Sequence, residues 1–276
     1  MKCLKNTMSK RNLRQKAFNW LFAQYTRYLE YELANSIYQN AKYPKDTNVL
    51  ISFRDTFYWL VTSYYEIEKS HLVESNKKIR KSVSKYIGGG NGRKRLNLRF
   101  AEVLRGNLCF MDLIDKDFKN LLSDYSNSCD DFRSIDRIKD ERIANFEKDK
   151  KERSLLLQSL LEFNNAFSHL AVIFCNGEDL DGNMQKAKSH LYRGCLDNYK
   201  MLLRFIMPKI NSLKVEQSFL EIREHEFLLL GKNINNKPID YTCPITNKKS
   251  QMTLSKAYKE LFNTAFSKLP REYLKP

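Results

Sequence analysis

Apolar residues recur at steps of three and four along most of the chain, which is the period of an amphipathic α-helix. The spacing predicts a first helix over about 10–40 and a second that begins near Asn48 and continues into the 70s. Helix-breaking residues are scarce, with nine Gly and six Pro in 276 residues, and no proline lies between Pro44 and Pro208. We therefore predict an all-α protein, built as a multi-helix bundle.

Turn-forming residues divide this pattern. The segment 87–92, with its four glycines, is the strongest break. A third helix is predicted over about 97–125, a Ser- and Asp-rich loop over 123–131, and a long helix from about Phe132 to Cys175. Further helices are predicted over about 183–205, 213–230 and 254–269, with at most one short β-hairpin near 233–250.

The positive charge is concentrated towards the two ends of the chain. The 48 Lys and Arg residues exceed the 32 Asp and Glu residues by 16, and the windows 1–100, 101–150, 151–200 and 201–276 carry net charges of +13, −3, 0 and +6. A neutral centre with positive ends indicates a surface for an anionic partner. We predict three consecutive parts: a basic N-terminal helical subdomain (1–128), a subdomain containing a helical hairpin (129–230) and a C-terminal extension with a terminal helix (231–276).

The densest positive charge surrounds the glycines. Between Asn76 and Ala101 there is no acidic residue, and the nine basic ones are Lys77, Lys78, Arg80, Lys81, Lys85, Arg93, Lys94, Arg95 and Arg99. Long cations beside glycine backbone suit a phosphate chain, so we predict that RNA or DNA binds here; a charge run on a solvated loop is the alternative. Tyr86 is a candidate for stacking on bases. A second basic cluster, predicted to be a phosphate-binding arm, comprises Lys2, Lys5, Lys10, Arg11, Arg14 and Lys16.

Two polar stripes are predicted to meet in an antiparallel helical hairpin over about 155–205. Their members repeat the same i, i+3, i+7 spacing and are Glu162, Asn165 and His169 on the first helix and His190, Arg193 and Asp197 on the second. If the turn is centred in 176–182, residues whose numbers sum to about 359 lie level. This count sets His169 against His190 and Glu162 against Asp197, with Arg193 within reach of Glu162 and Gly194 allowing a close approach.

The stripes have three interpretations. In the first, the six groups form a satisfied internal network in which Arg193 neutralises Glu162 and Asp197. In the second, they line a catalytic pocket with His169 and His190 as acid and base. In the third, they form a solvent-exposed face.

The same hairpin resembles HEPN-like helical domains of bacterial toxin and anti-phage defence proteins. The resemblance rests on Glu162–Leu170 (EFNNAFSHL) and Lys186–Lys200 (KAKSHLYRGCLDNYK), within residues 160–205. It implies a helical bundle, a possible homodimer, and a bacterial, plasmid or phage conflict setting. Catalytic HEPN ribonucleases carry an Arg followed after four to six residues by a His, and this motif is missing at His71, His169, His190 and His225.

The cysteine pattern and the distribution of apolar residues bear on cofactors and on the location of the protein. The six cysteines are scattered without a CxxC pair, so we expect neither a metal site nor a cofactor. No run of residues is apolar enough to cross a bilayer and the first residues do not form a secretory signal, so we expect a cytoplasmic protein without a membrane partner.

We rank nucleic-acid binding in a defence system first, a non-catalytic accessory subunit or inhibitor docked on a nucleoprotein complex second, and a divergent helical nuclease third. A protein partner or a homodimer is compatible with each.

Overall fold

The computed structural model describes residues 2–38, 47–63, 69–88, 95–96, 110–140, 157–176, 179–230 and 238–275, without the side chains of 2–12, 36–38, 69, 175–176 and 229–230. These residues form an all-α protein with one small β-hairpin, which confirms the predicted fold class. The helices are α1 (Lys2–Tyr38), α2 (Thr47–Thr62), α3 (Lys69–Gly88), α4 (Phe110–Leu113), α5 (Lys116–Phe132), α6 (Leu157–Asn176), α7 (Leu180–Ile206), α8 (Leu213–Leu230) and α9 (Leu254–Ser267).

Short 3-10 turns and strands lie between the later helices and after the last one. Three 3-10 turns cover Arg133–Arg137, Met207–Lys209 and Arg271–Tyr273. Strands β1 (Ile239–Thr242) and β2 (Lys249–Met252) pair antiparallel, with Ile239 opposite Met252. The predicted hairpin near 233–250 is therefore confirmed. None of the described helices has the length and apolarity that a bilayer crossing requires.

Two predicted helix boundaries in the N-terminal half of the chain are wrong. The second helix ends at Thr62 instead of continuing into the 70s, although the backbone N–H of Ser63 still donates to the carbonyl of Trp59 at 3.0 Å. The predicted third helix is present as α4 and α5 at 110–132, and its earlier part lies outside the described residues.

The predicted loop at 123–131 is also wrong, since α5 runs through it to Phe132. Its polar composition hides an apolar face: Tyr125, Cys129 and Phe132 follow each other at i, i+4 and i+7 and are all buried. The buried Ser128 satisfies its own hydroxyl by donating to the carbonyl of Tyr125 at 2.7 Å. A serine can therefore stay on the inner side of this helix.

The long helix predicted from Phe132 does not form at its start. After the turn at Arg133–Arg137 the backbone is extended at Ile138, which pairs with Leu274 in an isolated antiparallel bridge. The bridge ties this segment to the C-terminal end through N–H donors of Lys139 and Lys275 at 2.8 Å each. Burial of Ile138 favours this strand pairing over another helical turn.

The chain divides into two compact units that are discontinuous in sequence, whereas the prediction has three consecutive parts. Unit 1 comprises Met1–Ser123 and Phe163–Lys188, and unit 2 comprises Asp124–Glu162 and Ser189–Pro276.

Aromatic rings fill the core of unit 1. Phe22 of α1 lies 4.9 Å from Phe167 of α6 between ring centroids, and Phe57 of α2 lies 5.1 Å from the same ring. The hydroxyl of Tyr25 donates to the side-chain oxygen of Asn164 at 2.9 Å, so its burial leaves no unsatisfied donor. This aromatic core fixes α1, α2 and α6 and provides the base on which α3 packs.

The core of unit 2 combines large side chains with hydrogen-bonded tyrosines. Tyr199 of α7 lies 6.0 Å from Phe262 of α9, and its hydroxyl donates to Asp131 at 2.7 Å. Tyr125 donates to the carbonyl of Ser159 at 3.0 Å. These bonds link α5, α6, α7 and α9 of this unit through buried polar groups that are satisfied.

Candidate nucleic-acid interface

Helix α3 is anchored to unit 1 by one narrow apolar side. Leu72, Ile79 and Val83 are buried against α1 and α2. The ring of Tyr86 lies 4.9 Å from that of Tyr28, between centroids. Tyr86 is therefore held by aromatic packing, and the prediction that it stacks on bases has no support from this geometry.

The opposite side of α3 is strongly basic, and we call it the basic face of α3. It comprises five exposed side chains, Lys77, Lys78, Arg80, Lys81 and Lys85. The sole acidic residue of the helix is Glu74. In the described part of the chain, none of the five cations lies within ion-pair distance of a carboxylate. Their charge is therefore available to an external anion.

Several basic residues elsewhere in the two units are paired with carboxylates of the protein. Lys188 pairs with Asp115 at 2.5 Å in unit 1, and Lys209 pairs with Asp140 at 2.6 Å in unit 2. Lys200 contacts Asp197 at 2.7 Å in the same unit. An internal carboxylate thus neutralises each of these cations, in contrast to the basic face of α3.

Arg95, a predicted phosphate contact, is held by the protein itself. Its Nε donates to Oε2 of the buried Glu30 at 2.8 Å, and the backbone N–H of the next residue, Leu96, donates to the carbonyl of Glu30 at 2.9 Å. The hydrogen bond with Glu30 raises the pKa of the guanidinium above its ordinary value. Arg95 therefore fastens the basic segment to α1, a role that its sequence position does not reveal.

The rest of the predicted basic residues divide into two groups. Arg93, Lys94 and Arg99 lie outside the described residues. In the N-terminal cluster, Arg14 donates to the carbonyl of Ser63 at the end of α2, and burial lowers the pKa of its guanidinium. Arg14 is thus a structural link within unit 1 and not part of a phosphate-binding arm, whereas Lys16 is exposed.

The polar stripe of unit 2 forms a compact cluster. Glu162 is buried, and its Oε2 accepts a hydrogen bond from Nδ1 of His190 at 2.6 Å. Nε of Arg193 lies 3.9 Å from the same oxygen, and 44% of the Arg193 side chain is exposed. An ion pair with a side chain this exposed contributes little to stability, so His190 is the principal partner of Glu162.

The predicted register of the hairpin is wrong in both units. In unit 1, Nδ1 of His169 contacts Oδ1 of Asn183 at 3.0 Å, where His190 was predicted. In unit 2, Glu162 contacts His190 where Asp197 was predicted, and Asp197 pairs with Lys200 on its own helix.

The observed pairs have residue numbers that sum to 352 instead of about 359, and part of this shift arises at the start of α7. Asp179 adopts a positive φ of 46°, and its carboxylate accepts the N–H of Gly182 at 3.2 Å, as an N-cap does. The helix therefore begins at Leu180, three residues before the predicted start near Asn183. The histidines accordingly bind different partners, and the predicted acid and base pair is not supported. Asn165 contributes its backbone carbonyl to the hydroxyl of Ser168.

Gly194 permits the close packing that its position suggested. A Cβ at this residue would lie 2.8 Å from Cε2 of Tyr125 and 3.3 Å from Cβ of Glu162. Only glycine fits there without displacing the buried tyrosine ring.

A buried ionic network in unit 2 was missed by the sequence reasoning. The carboxylate of Glu226 on α8 accepts hydrogen bonds from Nζ of Lys200 at 2.9 Å and from the hydroxyl of Tyr258 at 2.6 Å, and it pairs with Arg223. Burial by itself would raise the pKa of Glu226, but these hydrogen bonds and charges hold it below its ordinary value. Residues 200, 226 and 258 are far apart in sequence, so no spacing pattern could have revealed this network.

The other predicted chemistry concerns metal ligands and the two histidines of the stripes. In the described part of the chain, no three His, Cys, Asp or Glu side chains come together as a metal site would require. The two histidines of the stripes are hydrogen-bonded to protein groups, whereas the five cations of the basic face of α3 are exposed. The chain matches no protein-family model, no curated protein and no solved structure. The resemblance to HEPN-like domains stays a prediction.

Proposed function

We propose that the protein binds RNA or DNA through the basic face of α3. The observation that carries this proposal is a set of five exposed cations that form no ion pair with any described residue, on a helix whose other side is buried in unit 1. Lysines on an exposed helix contact phosphates whatever the base sequence, so we expect affinity without sequence preference.

The spacing of the lysines supports a phosphate-binding role. Lys77, Lys81 and Lys85 succeed each other at four-residue steps, which places them about 6 Å apart along the helix axis. Lys78 lies beside this row. Because the buried apolar side holds α3 in place, these side chains present a row of charge on a fixed helix.

The biological setting belongs to the same proposal. The resemblance of the hairpin to HEPN-like domains supports a role in a bacterial, plasmid or phage defence system, as a binding protein without ribonuclease activity. An accessory subunit or inhibitor that docks on a nucleoprotein complex is the second candidate, because the same exposed cations would also fit an acidic protein surface.

The proposal is tested by fluorescence anisotropy with labelled single-stranded RNA, single-stranded DNA and duplex DNA over a range of salt concentrations. The variant replaces Lys77, Lys78, Lys81 and Lys85 by Gln. If each lysine makes one phosphate contact, the four contribute roughly 2.8–3.6 to the slope of log affinity against log salt. Raising the salt fourfold, from 50 to 200 mM, should then cost about 50- to 150-fold in affinity through these contacts alone.

The matched control removes the same charge at exposed lysines that belong to other elements of the chain: Lys186, Lys214, Lys248 and Lys249. We expect the α3 variant to lose this part of the salt slope and the control to keep it. Equal losses in both variants would mean that only the net charge matters. If the wild type binds none of the three nucleic acids at low salt, the accessory role becomes the better proposal.

A further inference from the structure

Helix α8 exposes an apolar strip on the side opposite its buried side. Leu213, Leu220 and Phe227 are 81%, 60% and 79% exposed, and Leu228 lies beside them at 58%. We call these four residues the α8 strip. The inward side of the same helix is formed by Val215, Ser218, Ile222 and Glu226, all buried. Four large apolar side chains aligned on one exposed helix face are typical of an interaction surface.

The spacing of the strip fits a second helix. Leu213, Leu220 and Phe227 are seven residues apart, so they return to nearly the same side of α8 every second turn. The row extends over about 21 Å along the helix axis. One large apolar residue in every seven gives a narrow apolar row along which another α-helix can pack at a shallow crossing angle.

Acidic residues flank the strip on both sides. At 100° per residue, Glu221 and Glu224 lie on one flank and Glu216 on the other, and all three are exposed. Arg223 does not offset them, because it pairs with the buried Glu226. This acidic border stands out in a chain of net charge +16.

The charges decide between a second copy of this chain and a different partner. A symmetric pair of α8 helices, antiparallel or parallel, would bring the three glutamates of each copy to the borders of one shared seam. Like charges at such positions are destabilising, and two copies of a strongly basic chain repel each other in addition.

We propose that the α8 strip docks an amphipathic helix of a partner protein whose apolar seam is bordered by Lys or Arg. Leucine-like side chains of the partner pack between Leu213, Leu220 and Phe227, and its cations meet the three glutamates. Apolar contact supplies affinity, and the charges select basic over acidic helices. This site is separate in sequence and in chemistry from the basic face of α3.

The test uses the full chain, freed of nucleic acid, and two synthetic amphipathic peptides with the same leucine seam. One peptide carries Lys at the flanking positions and the other carries Glu. We expect isothermal titration calorimetry to give a micromolar dissociation constant for the Lys peptide and binding at least tenfold weaker for the Glu peptide. The double variant Leu220→Gln/Phe227→Gln should weaken Lys-peptide binding at least tenfold.

The matched control is Val73→Gln/Ile245→Gln, which changes two other exposed apolar residues and should leave peptide binding intact. The α8 double variant should also keep wild-type nucleic-acid affinity, so this proposal and the proposed function can fail independently. Absence of Lys-peptide binding, equal binding of both peptides, or binding unaffected by the α8 double variant overturns the proposal. A dimer in analytical ultracentrifugation that the double variant dissociates would instead identify a second copy as the occupant.

Discussion

The network around Glu226 makes a sharp prediction about one hydroxyl group. Tyr258 is fully buried, and its hydroxyl donates to Oε2 of Glu226 at 2.6 Å. The substitution Tyr258→Phe removes this donor and changes little else in shape. A hydrogen bond to a charged group contributes roughly 1.5–3 kcal/mol, and Lys200 and Arg223 remain as partners. We therefore expect the free energy of unfolding at pH 7 to fall by about 2 kcal/mol.

The effect of Tyr258→Phe should depend on pH in a defined direction. The pKa of Glu226 is lowered in the folded protein, so the stabilisation that its charge provides is complete above the ordinary Glu pKa of about 4.3. That stabilisation is lost as the pH falls through the folded-state pKa, where the carboxylate becomes protonated. In acid, Tyr258 donates to a neutral group, and the cost of the substitution should shrink to about 1 kcal/mol.

The assay is urea denaturation of the wild type and the variant from pH 7 down to about pH 3, with calorimetry to identify the transition of unit 2. Tyr241→Phe is the matched control, because Tyr241 is buried in the same unit and its hydroxyl has no hydrogen-bond partner among the described residues. We expect the control to change stability by less than about 0.5 kcal/mol at any pH. Equal effects of the two substitutions, or a cost of Tyr258→Phe that does not change with pH, would refute the assigned network.

Two further predictions concern glycine and cysteine positions. Gly194→Ala should lower the free energy of unfolding by about 1 kcal/mol, because crowding of Tyr125 costs roughly 1–3 kcal/mol and the higher helix propensity of Ala offsets about 1 kcal/mol of this cost. Gly88→Ala, with open space around the new Cβ, should raise the free energy of unfolding by about 0.5 kcal/mol. Iodoacetamide at pH 7.5 should alkylate Cys243 at least tenfold faster than Cys195, because hydrogen bonds from Thr246 lower the pKa of Cys243 whereas burial raises that of Cys195.

Each of these predictions has a clear negative result. Urea denaturation would contradict the packing at Gly194 if both alanine variants changed stability in the same direction. Mass spectrometry of tryptic peptides measures alkylation at each cysteine separately. Comparable rates at Cys243 and Cys195 would mean that the latter is more accessible than its burial indicates.

The amino-acid sequence by itself was sufficient for the fold class and for most helix positions. The period of apolar residues and the scarcity of glycine and proline predicted an all-α protein, and the Asn-, Lys- and Pro-rich segment 231–250 indicated a short β-hairpin. Local signals sufficed because helix formation depends on residues three and four apart, and turns depend on a few adjacent residues. They failed at 123–131, where the buried face of Tyr125, Cys129 and Phe132 outweighed a loop-like composition.

The sequence also contains two apolar rows on α8, but it does not show which of them is buried. Leu213, Leu220 and Phe227 share a period of seven, while Val215 and Ile222 form another apolar row on the same helix. Only the packing of unit 2 decides which row is buried, because both rows satisfy the same local pattern.

The tertiary structure alone decided which charges are paired. Nine basic residues looked equivalent along 77–99, yet Arg95 is fastened to Glu30, 65 residues away, whereas five side chains of α3 remain outside any described ion pair. The partners of His169 and His190 likewise depend on how α6 and α7 pack, and the start of α7 at Leu180 determines only part of that register. Such pairings depend on atoms being within a few ångströms after folding, and separation along the chain does not determine that distance.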